Sequence, residues 1–298
     1  MCFCISLYPA GILSAAANKG TCGDGLKWEC AGDKLVITYT GLGSGTMDNF
    51  EEIEDTITRS GNEEYVYHYS NPWNSYRDDI TEVVISSGVT TIGNHAFAAF
   101  KNLKTVNIPE GVTEIGEGAF EDSGFSGGIR VVIPGTVKEI GKNAFNGSTL
   151  VSAVISEGVK TIDWGAFMDC AKLKSINIPN SVTTIENFAF YRCKSLIRVS
   201  GGAGLETIGA SAFAYCTKLK MFSINSTVLS KIGHYAFNQD KSLKVLNIRK
   251  TSKLTKDGVE KSLKGSRIKH VRVRKASVKA YKKYFKKSNS GKKASVKK

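Results

Sequence analysis

At 298 residues, with a formal net charge of +14, the chain is long for one ordinary globular domain, and after its first residues no apolar stretch approaches the ~20 residues of a membrane-spanning helix. The charge is uneven. Residues 241–298 hold 22 lysines and arginines against two acids, Asp257 and Glu260, whereas residues 1–240 hold 19 against 25, an asymmetry that the net value hides.

Residues 1–20 read as a leader. The first 17 are moderately apolar and end in Ser14-Ala15-Ala16-Ala17, like the small-residue close of a secretory signal peptide. No Lys or Arg precedes Lys19 and Pro9-Ala10-Gly11 breaks the apolar run, so an unstructured leader is the competing reading. Residues 21–80 carry no repeat and are expected to form an N-terminal cap. Within them, residues 22–28 and 34–40 suggest two strands joined by the turn around Ala31-Gly32-Asp33. An acidic segment, 48–64, leads into Tyr65-Val-Tyr-His-Tyr-Ser-Asn-Pro-Trp73, four aromatic rings in nine residues. These rings either cover the open sheet edge of the first repeat or offer a sugar-binding platform.

From residue 81 one pattern recurs, written most fully at 103–120 as Leu-x-x-Val-x-Ile-Pro-x-Gly-Val-x-x-Ile-Gly-x-x-Ala-Phe. The Ala-Phe pair returns at Phe97, Phe120, Phe145, Phe167, Phe190, Phe213 and Phe237, in steps of 23, 25, 22, 23, 23 and 24 residues. A period of about 20–29 with a Leu-x-x-Leu-x-Leu-like segment is the signature of a leucine-rich-repeat solenoid. Val106 and Ile108 alternate with Thr105 and Asn107, the two-residue period of a strand buried on one face. One such strand cannot bury its apolar side alone. Stacked copies are expected to make a parallel sheet along an inner wall, with the Val-x-x-Ile and Ala-Phe residues filling the space behind it. Pro109, Pro134 and Pro179 should stop the strands. Gly93, Gly116, Gly141, Gly209 and Gly233 are expected where a positive φ is cheap, although Asp163 and Glu186 hold the same place in two copies. Only five residues separate Phe97 from Leu103, too few for a long outer helix, so the outer wall should be short strands, turns and 3-10 pieces.

The seven copies of Ile-Gly-x-x-Ala-Phe with their strand resemble the BspA-like, or Treponema pallidum type, leucine-rich repeat. The resemblance covers roughly residues 80–275. It implies a β-rich leucine-rich-repeat solenoid of the α/β superhelix class, with an N-terminal β cap and a C-terminal helical cap. Cys-Gly, the strand pair and Asn-Pro-Trp also resemble the segment that precedes the repeats in this family. The family's members are mostly secreted or surface proteins of host-associated bacteria, and those characterised are adhesins for host matrix proteins or other cells. Such a role, with a host matrix or cell-surface protein or a glycan as partner, is what the resemblance implies here.

Cys22 and Cys30 flank the expected hairpin; a disulfide between them is open if the chain is exported, and spacing alone does not decide it. Cys170, Cys193 and Cys216 are one period apart and should stack in an interior column as small apolar residues. They have no Cys-x-x-Cys partner or nearby His to make a metal site. His68, His95, His234 and His270 are scattered, and neither a phosphate loop nor a nucleophile elbow is present. The sequence therefore names no catalytic residue, metal or cofactor.

Side chains facing outward from the inner strands are the natural binding candidates, since they vary without disturbing the core. They are Arg130, Val132, Ser152, Ser175, Asn177, Arg198, Met221 and Asn247. The solenoid is expected to reach residue 275. Val278, Tyr281 and Phe285 then mark one face of a short amphipathic helix capping the last coil, and the chain beyond Ser288 is expected to be disordered. Arg272, Arg274, Lys282, Lys283, Lys286 and Lys287 at this basic end are candidate contacts for an anionic surface polymer. The rings there have a packing role in the cap, which argues against nucleic acid.

Overall fold

The computed structural model describes residues 18–59, 62–125, 128, 130–286 and 293–298, with the side chains of 55–67 excepted. The expected leader therefore lies outside the described residues apart from its last three positions, as do the side chains of Tyr65 and Tyr67 and all of Lys287. Each repeat forms one coil with three backbone ladders, and the coils stack into a β-solenoid of about nine turns.

The first ladder is the expected sheet. Strands Ser175–Ile178, Arg198–Gly201, Met221–Ile224, Val245–Asn247 and His270–Arg272 pair in parallel, residue for equivalent residue. Their burial alternates because period-two side chains point to opposite faces: Ile176, Val199, Phe222, Leu246 and Val271 are buried. Ahead of them, Arg130–Ile133 pairs with Ser152–Ile155, and Glu82–Ile85 pairs with Thr105–Val106. The sheet is interrupted between Val106 and Arg130. There five positions separate the buried Phe125 from Arg130, where two separate Leu150 from Ser152.

The second ladder is a seven-stranded parallel sheet of two-residue strands, from Thr91–Ile92 to Lys231–Ile232. It buries the isoleucine of every copy.

The third ladder has no strand in it. In each coil the residue before Ala-Phe is left-handed, as at His95 (φ 51°), Gly118 (59°), Asn143 (51°), Gly165 (61°), Phe188 (59°), Ser211 (54°) and Tyr235 (59°). So is the residue two places after the Phe, from Ala99 (59°) to Gln239 (61°). These reversals aim alternate N–H groups at the next coil. His95, Phe97 and Ala99 donate to the carbonyls of Glu117, Ala119 and Glu121 at 2.8, 2.8 and 2.7 Å. A left-handed non-glycine residue costs about 1–2 kcal/mol, and the inter-coil hydrogen bonds that it permits offset that cost.

Positive φ thus falls beside the expected glycines and not on them. Gly93, Gly116, Gly141, Gly209 and Gly233 have no left-handed backbone, which corrects the sequence reading. Their role is close approach between coils: a Cβ on Gly141 would stand 2.5 Å from the Ile115 carbonyl oxygen, and one on Gly233 2.5 Å from the Ala210 nitrogen.

Behind the ladders the phenylalanines form a spine. Phe120, Phe145, Phe167, Phe190 and Phe213 stack with centroids 5.1–5.3 Å apart and planes within 6°, each pair adding about 0.5–1.5 kcal/mol beyond its buried area. Next to the spine runs a column three residues after each Phe: Phe100, Ser123, Ser148, Cys170, Cys193, Cys216, Asp240 and Ser266. Cys170, Cys193 and Cys216 are fully buried, and each Sγ donates to the carbonyl of the preceding coil's Phe, at 3.0, 3.1 and 3.2 Å. The column expected from the spacing is therefore present, with its thiols hydrogen-bonded; burial raises the thiols of Cys170 and Cys216 well above the usual range. An eighth coil hides behind a changed signature. Ser262-Leu263 replaces Ala-Phe there, Leu263 is fully buried, and Lys261 and Gly265 take the two left-handed positions.

At the N-terminal end, Leu26–Ala31 and Lys34–Tyr39 form the expected antiparallel hairpin, and Lys34–Tyr39 pairs in parallel with Glu82–Ile85. Trp73 opens the spine. It is fully buried, stacks on Phe97 at 5.7 Å and donates its indole N–H to the Ala96 carbonyl at 2.7 Å. Trp28 and Phe50 close around it edge-on. The acidic segment forms Glu52–Arg59, paired with Asn62–Tyr69, a hairpin that the sequence reading did not anticipate. Cys22 and Cys30 are buried free thiols, pushed up to about 12 and about 11, mainly by burial.

At the other end the helix Val278–Tyr284 lays Tyr281 and Phe285 into the core. The chain then returns to the sheet. Ser295–Lys297 pairs in parallel with His270–Arg272 and buries Val296, so the expectation of disorder beyond Ser288 is corrected for these residues. One buried valine between a serine and a lysine satisfies the strand pattern, and the lysine-rich composition concealed it.

Candidate ligand-binding site

The outward faces of the first ladder carry the candidate residues in two rows set by register. One row runs Ser175, Arg198, Met221, Val245, His270 and Ser295; the other runs Asn177, Ser200, Ser223, Asn247, Arg272 and Lys297. The second row is tied at two of its steps. Ser200 donates to Asn177 Oδ1 at 3.2 Å, and Asn247 Nδ2 donates to Ser223 at 3.0 Å. Each amide is thus held by the serine of a neighbouring coil, which stiffens the face there.

The first row is different in kind. Met221 is 47% exposed, and Ile197, whose carbonyl accepts from the Met221 N–H, is 42% exposed. Arg198 follows Ile197 in the chain, is the register partner of Met221 and is exposed. An apolar pair beside a guanidinium on a rigid sheet suits a protein surface, where arginine and methionine are enriched.

The structure brings Ser175, Asn177, Arg198, Met221, Asn247 and Arg272 onto one six-stranded sheet. Arg130, Val132 and Ser152 stand on the separate pair Arg130–Ile133 and Ser152–Ile155. A Lys174 N–H to the Val151 carbonyl, at 3.2 Å, leads from that pair toward the larger sheet. Val132, 45% exposed, repeats the apolar character of Met221 there.

The candidate contacts for an anionic polymer divide. Arg272 belongs to the sheet face, flanked by Asn247 and Lys297. Arg274 is exposed just beyond it, and Lys282, Lys283 and Lys286 are exposed around the cap helix. The alternative platform at Tyr65–Trp73 is not supported as drawn. Trp73 has no exposed surface and Tyr69 is buried against His95, their rings 5.4 Å apart. Both rings pack the cap end of the solenoid, so neither offers a face to a sugar.

The second ladder bears an open depression of about 440 Å³ lined by Glu114, Glu139, Asp163 and Lys138 among others. Burial, and then the neighbouring Asp163, push the Glu139 carboxyl up. Among the described residues no group of three or more His, Cys, Asp or Glu side chains is arranged to hold a metal, and no helix is long and apolar enough to cross a membrane.

The sequence reading passed over the edge formed by the third ladder. Trp164, Phe188, Tyr191 and Tyr215 make a chain of ring contacts at 5.5, 5.5 and 5.4 Å, with Trp164 36% and Tyr215 38% exposed. The signal that finds them is register: all four stand immediately around Ala-Phe, within two residues of it or one of its left-handed neighbours.

The model of the BspA type leucine-rich repeat region matches residues 75–197 and 160–292, with six copies. Solved structures similar to this chain include a leucine-rich repeat protein from Eubacterium ventriosum, 19% identical, covering 85% of this chain and 84% of that one with a TM-score of 0.39. A leucine-rich repeat protein from Bacteroides ovatus is 19% identical over 84% of this chain and 70% of that one, with a TM-score of 0.42. The pneumococcal vaccine antigen PcpA is 18% identical over 85% and 80%, with a TM-score of 0.36. No curated protein matches the sequence.

Proposed function

Since the chain belongs to the BspA-type leucine-rich repeat family, we propose that it is a non-catalytic interaction protein, secreted or displayed at a cell surface, that binds a host or cell-surface protein on the outward face of its first ladder. The observation that carries this reading is the exposed Met221–Ile197 pair beside Arg198 on a sheet whose second row is hydrogen-bonded to itself. A stiff face gives up little conformational freedom on binding. An apolar pair contributes burial, about 25 cal/mol per Å², and the guanidinium fixes orientation.

The domain plan that accompanies the proposal is a leader to residue 20, a cap to 80, a solenoid to 275 and a basic cap beyond. The strand Ser295–Lys297 extends the sheet through that last part. Its lysines and Arg272 and Arg274 form the proposed electrostatic tether to an anionic surface polymer.

The test is binding of the full chain to an array of matrix proteins and glycans at low and high salt, alongside an R130S/R198S/M221S variant. Binding that resists salt and falls at least tenfold in the variant supports the face. Turnover of any arrayed polymer, abolished by a single substitution, would overturn the non-catalytic reading.

A further inference from the structure

Two features that sequence order separates coincide on the same coils. The first is aromatic. At the left-handed positions the second to fourth coils carry small or turn-forming residues, Gly118, Asp122, Asn143, Gly147, Gly165 and Asp169, whereas the fifth to seventh carry Phe188, Arg192, Tyr215 and Tyr235 beside Ser211 and Gln239. Bulky side chains are rare in this conformation, and strained positions of this kind gather at functional sites. The rings are not interior filling, since Trp164 and Tyr215 are exposed. Cations border them: Arg192 lies 5.6 Å over the Tyr191 ring and Lys264 5.2 Å over that of Tyr235.

The second feature is a ridge of lysines at the entry to the first strands. Lys174, Lys220, Lys244 and Lys269 occupy one register position in successive coils, interrupted only by Ile197. Carbonyl and N–H groups of Lys174, Ile197 and Lys220 pair in turn, and Lys269 pairs with Lys244. Two residues earlier stand Lys172, Lys218 and Arg267, all exposed. Among the described residues no carboxylate is paired with Lys174, Lys218, Lys220 or Lys269. The two features lie close along the chain, since Lys218 follows Tyr215 by three residues, about 10 Å of backbone at most. Neither is present in the second and third coils, where the same places hold Glu117, Glu121 and Asp122 at the turn and Thr149 and Val151 before the strand.

We propose that this edge, from the fourth to the seventh coil, is a binding strip for an acidic polysaccharide. The rings of Trp164, Tyr191 and Tyr215 take pyranose faces, and Lys218, Lys220 and Lys244 take the carboxylate or sulfate groups. Successive coils are about 4.8 Å apart, and an extended pyranose chain rises by nearly that distance per sugar. A linear ligand along the solenoid meets a ring in each of the fourth, fifth and sixth coils and a lysine in the fourth, sixth and seventh, with Ile197 in the lysine's place in the fifth. The lysine row borders the sheet face at Ile197 and Lys220, next to Met221, but the rings belong to the third ladder, so the strip does not depend on that reading.

The chain has three tryptophans, of which Trp28 and Trp73 are buried and Trp164 is exposed, so fluorescence reports on the strip. The experiment titrates the full chain with heparin oligosaccharides, with oligogalacturonate, with neutral dextran and with a single-stranded oligothymidylate, at low and high salt. Saturable quenching by either acidic saccharide, weakened at least tenfold in Y215G, supports the strip, and the two saccharides distinguish sulfate from carboxylate. K218S/K220S should weaken binding and flatten its salt dependence. Y215G suits a left-handed position (φ 63°), so it keeps the fold while removing the ring; an unchanged melting temperature confirms this. Binding that is indifferent to Y215G, equal for dextran, or tighter for oligothymidylate would overturn the proposal.

Discussion

Asp240 is the clearest place to test the physics of the stack. It is fully buried, lies in the column between Cys216 and Ser266, and among the described residues no side chain pairs with its carboxyl. Burial pushes its carboxyl well above the usual range, so the folded chain holds a proton there that the unfolded chain releases above about pH 4. The protonated group presents an O–H where Ser123, Ser148, Cys170, Cys193, Cys216 and Ser266 present O–H or S–H. The folded state thus binds more protons, and stability falls as pH rises, by about 1.4 kcal/mol per pH unit while the folded carboxyl stays protonated. Serine already stands in this column at Ser123, Ser148 and Ser266 and does not titrate. D240S should therefore lie within about 1 kcal/mol of the native chain near pH 4 and be the more stable of the two once pH rises above the range of an ordinary carboxyl. Urea unfolding followed by far-UV circular dichroism at four pH values measures this. A difference between the two chains that stays flat with pH, or D240S that is the less stable at pH 8, would refute the reasoning.

Other consequences come from the same stack. F167A removes a ring held between Phe145 and Phe190 at 5.3 Å on each side; it should cost about 3–5 kcal/mol in urea unfolding. G233A places a methyl against the Ala210 backbone of the preceding coil and should cost about 1–3 kcal/mol by overpacking, whereas at this φ an alanine would be nearly neutral if the space between the coils were open. C193V deletes the Sγ bond to the Phe167 carbonyl and should cost about 1 kcal/mol. Cys22 and Cys30, with thiols pushed up to about 12 and about 11, should resist a thiol reagent at pH 8 until the chain unfolds; mass spectrometry of the labelled peptides reads this directly.

The repeat made the coil, its strands and the cysteine column legible, because each rests on a residue type recurring at a fixed interval. What stayed hidden rests on conformation or on substitution within that interval. The left-handed positions escaped notice because His95, Phe188 and Tyr235 occupy places where a glycine would have announced them. The glycines that were visible serve inter-coil distance, which one coil's sequence does not contain. Leu263 replaces the phenylalanine of the eighth coil, and Trp73 replaces it at the start of the spine, so counting Ala-Phe misses both ends. On the candidate face, the outward residues were legible from alternation alone. That Met221 adjoins Ile197, and that Asn247 ties to Ser223, needed the register between coils.

The central claim, recognition on the sheet face, is tested most directly by taking one ligand captured on the array and titrating it into the native chain, R198S/M221S and K282S/K283S/K286S at low and high salt. Recognition on the sheet face gives at least a tenfold loss in R198S/M221S at both salts and a small, salt-sensitive loss in the lysine variant. Unchanged affinity in R198S/M221S, with binding abolished in the lysine variant or by salt alone, would contradict it.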